Sequence, residues 1–512
     1  MCGIGAVLGR ADADARLRQS LGMITHRGGK TFEMAAGNGF AIGANRLPIV
    51  DRQNAVQPAK NEDGRLLCVL NGEIYNYKRL KTELEEKGHK FRTESDTEVL
   101  VHMYEQYGKR MLDMIDSEIY AFAIYNTKTG DYFAARDRIG VKPLYWAETG
   151  RGAEAGGATY FASEMKQLVQ FSEITEIKVV APGHLIDNGR EEKYSDLIGR
   201  KQEVEESAEE IAENVRLLLH EAVKKRVDTD LPVGVFMSGG LDSTAVLAIA
   251  RKYHNNITAI IAGNEKSEDR KFALRYCQEF GVPYILVETP DEKTMWKEVR
   301  RVIYAVESFE PNVIRNSMGS HYISEGGKQF SIILCGEGAD ELFSGYAEFL
   351  KTSEDAQNEL AVQFLSDLHR TQCQRVDRTS MQFTEEVRAP FLDTALVEYA
   401  LAIPGKLKVK NGVEKWILRK ALENELPDYI CQRKKAVLIA GAGYKGNDPK
   451  DGMFDEYIKE TQSEAEYARI VADNPDWNLS TPEEAYYFSI FQEFGYDKCL
   501  QAKERPKANR VK

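Results

Sequence analysis

Three stretches of the chain carry residue types at spacings that could do chemistry. In VFMSGGLDST (235–244) an apolar run leads into Ser238-Gly239-Gly240 and then into a helix expected to begin near Asp242. Glycines let backbone N–H groups close around a phosphate, and a helix N-terminus adds its positive end. The Lys of the GxxxxGKS/T loop is absent, so this is not the loop that presents a γ-phosphate for transfer. In CGEGADELFSGY (335–346) a second apolar run is followed by Glu337, Asp340 and Glu341. That places three carboxylates at the carboxyl end of an expected strand, the edge where open α/β sheets bind ligands. Alone they read equally as a solvated turn; beside the loop at 238–243 they read as part of a shared Mg²⁺–nucleotide site. The third stretch is Cys2, between the initiator Met and Gly3. Removal of Met1 would leave Cys2 an α-amine with a pKa of about 7.7–8.0, able to act as base for a thiol near about 8.5. Taken alone, an early Cys is an incidental small hydrophobe.

The elements that must position these residues differ between the two halves of the chain. From Gly3 to about Ile186 short apolar runs alternate with turn residues, as in GIGAVLG (3–9), GFAIGANRLPIV (39–50), LLCVLNG (66–72), YAFAIYN (120–126) and YFAAR (132–136). Such runs predict strands in two packed antiparallel sheets. One helix is predicted among them, from Asp96 to Tyr107, with Val99, Leu100, Met103 and Tyr104 at helical spacing and Gly108 as its stop. The polar stretch from Asp187 to Glu206 reads as a linker. Beyond it Ser207 and Glu210 form a capping box, and Ile211, Val215, Leu218, Leu219 and Ala222 line one helical face. The runs VGVFMS (233–238), ITAIIA (257–262), YILVE (284–288) and SIILC (331–335) then alternate with helical patterns, which predicts a parallel sheet.

Composition removes several function classes. At 512 residues the chain has room for two or three domains with their own cores. Lys and Arg total 68 against 80 for Asp and Glu, so a net charge of −12 argues against general attraction to nucleic acid or an anionic membrane. The seven cysteines form no CxxC pair, which suits reduced thiols in a cytoplasmic setting. Eight scattered histidines with no HExxH or Cys/His grouping argue against a structural zinc site. No window approaches the ~18–20 apolar residues of a membrane span, the first residues show no basic leader, and KERPKANRVK reads as a basic, frayed tail.

The loop SGGLDS resembles the pyrophosphate loop of enzymes that split ATP into AMP and pyrophosphate. MCGI, HRGG (26–29), ANRLPIVD (44–51), LNGEIYNY (70–77), ESDTEVL (94–100) and ARDRIGVKPLYW (135–146) resemble, in order and spacing, the class II glutamine amidotransferase domain. With SGGLDS, GEGADE, EVRAPFLD (386–393) and EKWILRKAL (414–422), the whole chain resembles the glutamine-hydrolysing asparagine synthetases. The resemblance implies an α+β N-terminal nucleophile-type antiparallel β-sandwich over residues 1–195, the glutaminase domain. An α/β parallel-sheet nucleotide-binding synthetase domain, an ATP pyrophosphatase, is implied over 196–512.

Carried across residue by residue, the resemblance makes Cys2 the nucleophile that forms a thioester with glutamine. Asn71 and Gly72 fall at the oxyanion-hole positions, Arg46 at the clamp on the substrate α-carboxylate, and Glu73 and Asp96 at positions that take its ammonium group. Ser238, Gly239, Gly240, Asp242, Ser243 and Gly336 fall in the ATP-binding loops, with Asp242 and Asp340 as Mg²⁺ contacts through pyrophosphate. Glu337 matches a proton acceptor beside an acyl-adenylate, and Lys435 matches a lysine on the α-phosphate, with Lys434 its neighbouring alternative. Arg315, in EPNVIRNSM (310–318), is the candidate for the acceptor's carboxylate. The implied cofactors are ATP and Mg²⁺. The implied partners are small molecules, glutamine, ATP and aspartate or another carboxylate, with a homodimer allowed and neither nucleic acid nor membrane.

Lys30 stands where the family pattern HRGPD has an acid, and AVLIAGAGYK (436–445) replaces a phenylalanine-and-glycine run. EPNVIRNSM lacks the threonines usual before the arginine, which leaves a different carboxylate acceptor as the alternative substrate. A non-enzymatic regulator retaining the fold is the reading from another class; it would be expected to lose Cys2 or the loop carboxylates, and all are retained.

Overall fold

The computed structural model describes residues 2–29, 31–150, 157–435, 441–444, 452–499 and 503. Met1, Lys30, positions 436–440 and 445 of the AVLIAGAGYK segment and the basic tail from 504 lie outside the described residues. The chain divides into two compact units, Met1–Asp196 with Phe491–Lys512, and Leu197–Ile490.

The strands of the first unit are β1 (Cys2–Leu8), β2 (Glu33–Gly37), β3 (Phe40–Arg46), β4 (Ala59–Lys60), β5 (Leu66–Gly72) and β6 (Tyr120–Asn126). They continue with β7 (Tyr132–Arg136), β8 (Tyr145–Thr149), β9 (Ala158–Ala162), β10 (Lys178–Val179), β11 (His184–Asp187) and β12 (Arg190–Lys193). They make two antiparallel sheets, in the orders β10-β8-β9-β1-β3-β2 and β12-β11-β7-β6-β5-β4. Each sheet is covered on both faces, which is why β1 and β5 read as continuous apolar runs rather than as strict alternation. Cys2, Ile4, Ala6 and Leu8 face the layer between the sheets and meet Leu67, Val69, Ala121 and Ala123. The alternate residues of β5, Leu66, Cys68 and Leu70, pack instead with Leu80, Leu84, Val99, Leu100 and Met103 of two helices, Tyr77–Glu86 and Asp96–Tyr107.

The helix at Asp96–Tyr107 lies where the sequence predicts it, with Ser95 accepting from the Thr97 N–H and Gly108 as its C-cap. Two further helices, Ala13–Gly22 and Tyr77–Glu86, were not predicted. Their buried apolar stripes are short, Ala13, Leu17 and Leu21 in one and Leu80 and Leu84 in the other, too little periodicity to register. Part of the expected linker is also structured, since Arg190–Lys193 pairs with His184–Asp187. The turn is Asn188-Gly189, both at positive φ (48° and 80°), the pairing a tight hairpin turn requires.

The second unit holds five parallel strands, β13 (Val233–Phe236), β14 (Ile257–Ala262), β15 (Tyr284–Val287), β16 (Ile332–Leu334) and β17 (Glu386–Arg388), in the order β15-β14-β13-β16-β17. The chain builds outward from β13 to β15, then returns to place β16 on the other side of β13. The loops leaving β13 and β16 therefore open side by side at a topological switch point. Strand β17 was not predicted, because its residues are charged; they are buried in pairs, with Arg388 Nε 2.6 Å from Glu386 Oε1 and Arg388 Nη1 donating to the Arg226 carbonyl at 2.6 Å. Arg226 ends the helix Ala208–Arg226, whose start carries the expected Ser207–Glu210 capping box. Among the described residues no helix is long and apolar enough to cross a membrane.

Candidate active site

Parity along the strands assembles the thiol site. Even-numbered residues of β1 and odd-numbered residues of β5 share the layer between the sheets, which brings Cys2, at the start of β1, to Asn71, at the end of β5. The Cys2 N–H donates to Asn71 Oδ1 at 3.3 Å. That contact orients the amide and leaves Asn71 Nδ2, buried, with no hydrogen-bond partner. An uncommitted N–H donor beside a thiol is what a developing oxyanion needs. Cys2 is 4% exposed, and burial pushes its thiol up, while the Leu47 backbone N–H and the Arg46 charge act in the opposite direction.

Register supplies the rest. Arg46 sits opposite Cys2 in the β1–β3 ladder, and its guanidinium Nη2 donates to the carbonyls of Val50 (2.9 Å) and Asp51 (3.0 Å), shaping the loop after β3. Gly72 has φ +143°, and a Cβ there would lie 1.9 Å from the Ile119 carbonyl oxygen, so no other residue fits. Buried Glu73 is held through its backbone, donating to Ile119 O at 2.9 Å and accepting from Ser117 Oγ at 2.6 Å. Asp96 accepts from the Ile74 N–H at 3.1 Å, and its charge acts on the Cys2 thiol. Cys2, Asn71, Arg46 and Asp96 are thus brought together.

Two residues of this site escaped the sequence reading. Gln57 places Nε2 3.4 Å from Cys2 Sγ and is itself fixed by two bonds to the Leu70 backbone. No local pattern marks it, since it lies in a loop six residues past ANRLPIVD and outside that motif. Arg27, within the quoted HRGG, is fully buried; its Nε donates to the Cys2 carbonyl at 3.1 Å and its Nη1 to Glu164 at 2.8 Å. Lys166 and His26 also contact Glu164.

In the second unit Gly240 caps the helix Leu241–Tyr253, and Gly239 takes φ +69° with Ala273 N where a Cβ would stand, 2.4 Å away. Ser238 and Ser243 tie the loop together, with their hydroxyls 3.0 Å apart and the Ser238 N–H donating to Ser243 Oγ at 3.1 Å. A Cβ on Gly336 would lie 2.9 Å from Asp242 Cβ, so glycine there lets the two loops touch. Lys415 Nζ then joins them, 2.6 Å from Asp242 Oδ2 and 2.6 Å from Asp340 Oδ1. Lys415 is 2% exposed on the side chain and sits in the left-handed region at φ 55°, backbone strain of a kind that concentrates at functional positions. Its motif, EKWILRKAL, was legible; its bridging role was not.

Lys435 Nζ lies 2.5 Å from Asp340 Oδ2. Desolvation opposes the Lys435 charge, but Asp340 and Asp242 outweigh it and hold its pKa above the usual value. Asp340 is held below the carboxylate range: burial would raise it, and Lys415 and Lys435 overcome that. Glu341 is pushed up to about 7 by burial and by the Asp340 charge, and accepts from Tyr346 Oη at 2.6 Å. Asp242 Oδ1 is buried with no hydrogen-bond partner, so the pair retains an uncommitted anionic oxygen of the kind Mg²⁺ takes. Glu337 is clasped by Arg375, which also contacts Ser320 Oγ; this arginine was not singled out in the sequence. Arg315 is engaged by a carboxylate of the chain itself. Its fork is taken bidentately by Glu483, through Nε at 2.9 Å to Oε1 and through Nη2 to Oε2, and both side chains are buried.

Comparison with known proteins agrees with this division. The family described as a glutamine amidotransferase domain matches residues 1–187, and the family described as asparagine synthase matches 214–361 and 350–471. A glutamine-hydrolyzing asparagine synthetase of Arabidopsis thaliana is 32% identical over 96% of this chain and 87% of its own length. A second from the same plant is 31% identical with the same coverage, and a root form from Pisum sativum is 32% identical over 96% and 87%. The chain belongs to the family of glutamine-hydrolysing asparagine synthetases.

Proposed function

We propose that this chain amidates aspartate to asparagine in an ATP-dependent reaction, using ammonia from glutamine and releasing glutamate, AMP and pyrophosphate. The observation that carries the reading is that one chain holds both a buried thiol beside an uncommitted Asn71 amide donor and two glycine loops whose aspartates converge on Lys415. We assign glutamine hydrolysis to residues 1–195 and synthesis to 196–512.

Cys2 Sγ attacks the side-chain carbonyl carbon of glutamine while the α-amine, freed by loss of Met1, takes the thiol proton and passes it to departing ammonia. Asn71 Nδ2 and the Gly72 N–H meet the oxyanion, Arg46 takes the α-carboxylate, and Glu73 and Asp96 take the ammonium group. Water then hydrolyses the thioester to glutamate. In the second unit a carboxylate oxygen of aspartate attacks the α-phosphorus of ATP, the α–β bond breaks, and pyrophosphate leaves an acyl-adenylate. Ser238, Gly239, Gly240, Ser243 and Gly336 cradle the phosphates, and Lys435 neutralises charge on the α-phosphate. Asp242 and Asp340 are the residues that would hold Mg²⁺, which when bound neutralises the departing pyrophosphate. Ammonia attacks the acyl carbon, Glu337 accepts its proton, and AMP departs. Ammonia must reach the adenylate unprotonated, which requires that it not equilibrate with bulk water.

Arg315 and Arg375 are both paired with a carboxylate, Glu483 and Glu337 respectively, and we assign the acceptor contact to Arg375 because its partner Glu337 is the proposed proton acceptor beside the adenylate. The experiment is a screen of carboxylates for AMP and pyrophosphate release with glutamine as nitrogen source. Aspartate should give both products in equal amounts with asparagine. Release of ADP and phosphate would overturn the adenylate route, and preference for another carboxylate would replace aspartate as acceptor.

A further inference from the structure

We infer that the first unit carries a second ligand site, for a divalent transition metal of the Zn²⁺ class, built from Glu62, His89, His102 and Glu105. One donor atom from each of the four lies within 4.8 Å of every other. His102 and Glu105 lie three residues apart on the helix Asp96–Tyr107 and so share a face, while Glu62 and His89 come from loops. His102 is fully buried, and neither of its ring nitrogens has a hydrogen-bond partner. Its Nδ1 stands 3.4 Å from Glu62 Oε2 and its Nε2 3.7 Å from Glu98 Oε1.

His89 shows the complementary pattern. Its Nδ1 lies 3.2 Å from Glu62 Oε1 and its Nε2 3.1 Å from Gln106 Oε1. A neutral imidazole has a single N–H and cannot donate to both oxygens. A cation in front of the two Nδ1 atoms resolves both histidines. Each ring then turns Nε2–H toward an outer oxygen, on Gln106 or Glu98, as metal-bound histidines do, and each Nδ1 lone pair faces the ion. The carboxylates are oriented as well, Glu105 by Asn61 Nδ2 (3.1 Å) and Arg65 Nη2 (2.5 Å), and Glu62 by the Lys90 N–H (3.0 Å). Two imidazoles with two carboxylates suit Zn²⁺ or Co²⁺ rather than Mg²⁺. Tetrahedral bonds of about 2.0–2.2 Å bring donors to roughly 3.5 Å from one another, so the loops close by about an ångström on binding. The ion would pin both loops to the helix that begins at Asp96. This inference does not depend on the proposed reaction.

The test uses the full-length protein, stripped with chelator and titrated with ZnCl₂ by calorimetry and with CoCl₂ by visible absorption, beside His89→Gln, Glu105→Gln and Gln106→Ala. Far-UV circular dichroism and urea melts identify the variants that fold. Wild type should bind one equivalent that folded His89→Gln or Glu105→Gln lacks, and Gln106→Ala should weaken that equivalent by about 10–100-fold. Failure of the stripped wild type to bind Zn²⁺, or identical titrations of wild type and the folded variants, would overturn the site.

Discussion

At Cys2 the chain buries a thiol against one uncommitted amide donor, whereas at the nucleotide loops it packs two aspartates around two lysines. Opening an amide requires a nucleophile, a proton acceptor and a donor aimed at one oxygen, so preorganised hydrogen bonds suffice. Cleaving ATP requires several negative charges to be neutralised together, so ions must be gathered and held before substrate arrives. Conservative substitutions should therefore act differently in the two regions: geometry should matter most in the first and charge in the second.

The largest effect should come from Cys2→Ala, which should reduce glutamine-dependent synthesis to background and leave ammonia-dependent synthesis largely intact. Equal loss with both nitrogen sources would show that the sites are not separate. Asp242→Asn should lower ATP cleavage with either nitrogen source by on the order of 10²-fold or more, because a neutral amide replaces a carboxylate proposed to hold Mg²⁺. Glutamine hydrolysis should persist in this variant, and assays of glutamate and pyrophosphate on one sample separate the two outcomes.

Asn71→Ala sharpens the contrast, since it changes no charge yet should lower the glutaminase kcat by about 10²–10³ through loss of one oxyanion donor. A change confined to KM would assign Asn71 to substrate binding instead. Between the arginines, Arg375→Lys should raise the acceptor KM while ATP and glutamine parameters move little, because lysine keeps the charge and loses the fork. Arg315→Lys should instead cost about 1–3 kcal/mol of stability through its buried contact with Glu483 and spare the acceptor KM. Steady-state kinetics beside denaturant melts decide the pair, and the reverse pattern would return the acceptor contact to Arg315.

The smallest effect concerns Glu341, whose pKa is raised to about 7 from 4.5 by burial and the Asp340 charge. Between those values the folded chain binds a proton that the unfolded chain has released, so stability falls as pH rises through this window. Glu341→Gln should flatten that dependence, checked by urea midpoints at pH 5 and about 7.5. An unchanged slope would show that another group titrates there.

The motifs proposed to carry the chemistry, and their order along the chain, were legible because those signals are local. Glycine loops after apolar runs, a capping box at Ser207 and an early Cys followed by LNGEIYNY each depend on a few consecutive residues. The parallel sheet was legible through alternation, while its order β15-β14-β13-β16-β17 was not, because alternation does not say on which side of β13 the chain returns. That order brings Asp242 and Asp340 together, and it lets Lys415 reach back 173 residues to Asp242. Gln57 beside Cys2, Arg375 on Glu337 and the Glu62–His89–His102–Glu105 cluster belong to the same class. The sequence shows eight scattered histidines and argues against zinc; folding gathers two of them beside two carboxylates. The sequence by itself determined the family, the order of the glycine and cysteine motifs and the alternation that builds the parallel sheet. Only the tertiary structure decided which distant cations and amides hold those groups in place, because convergence depends on sheet order and strand parity rather than on any run of neighbouring residues.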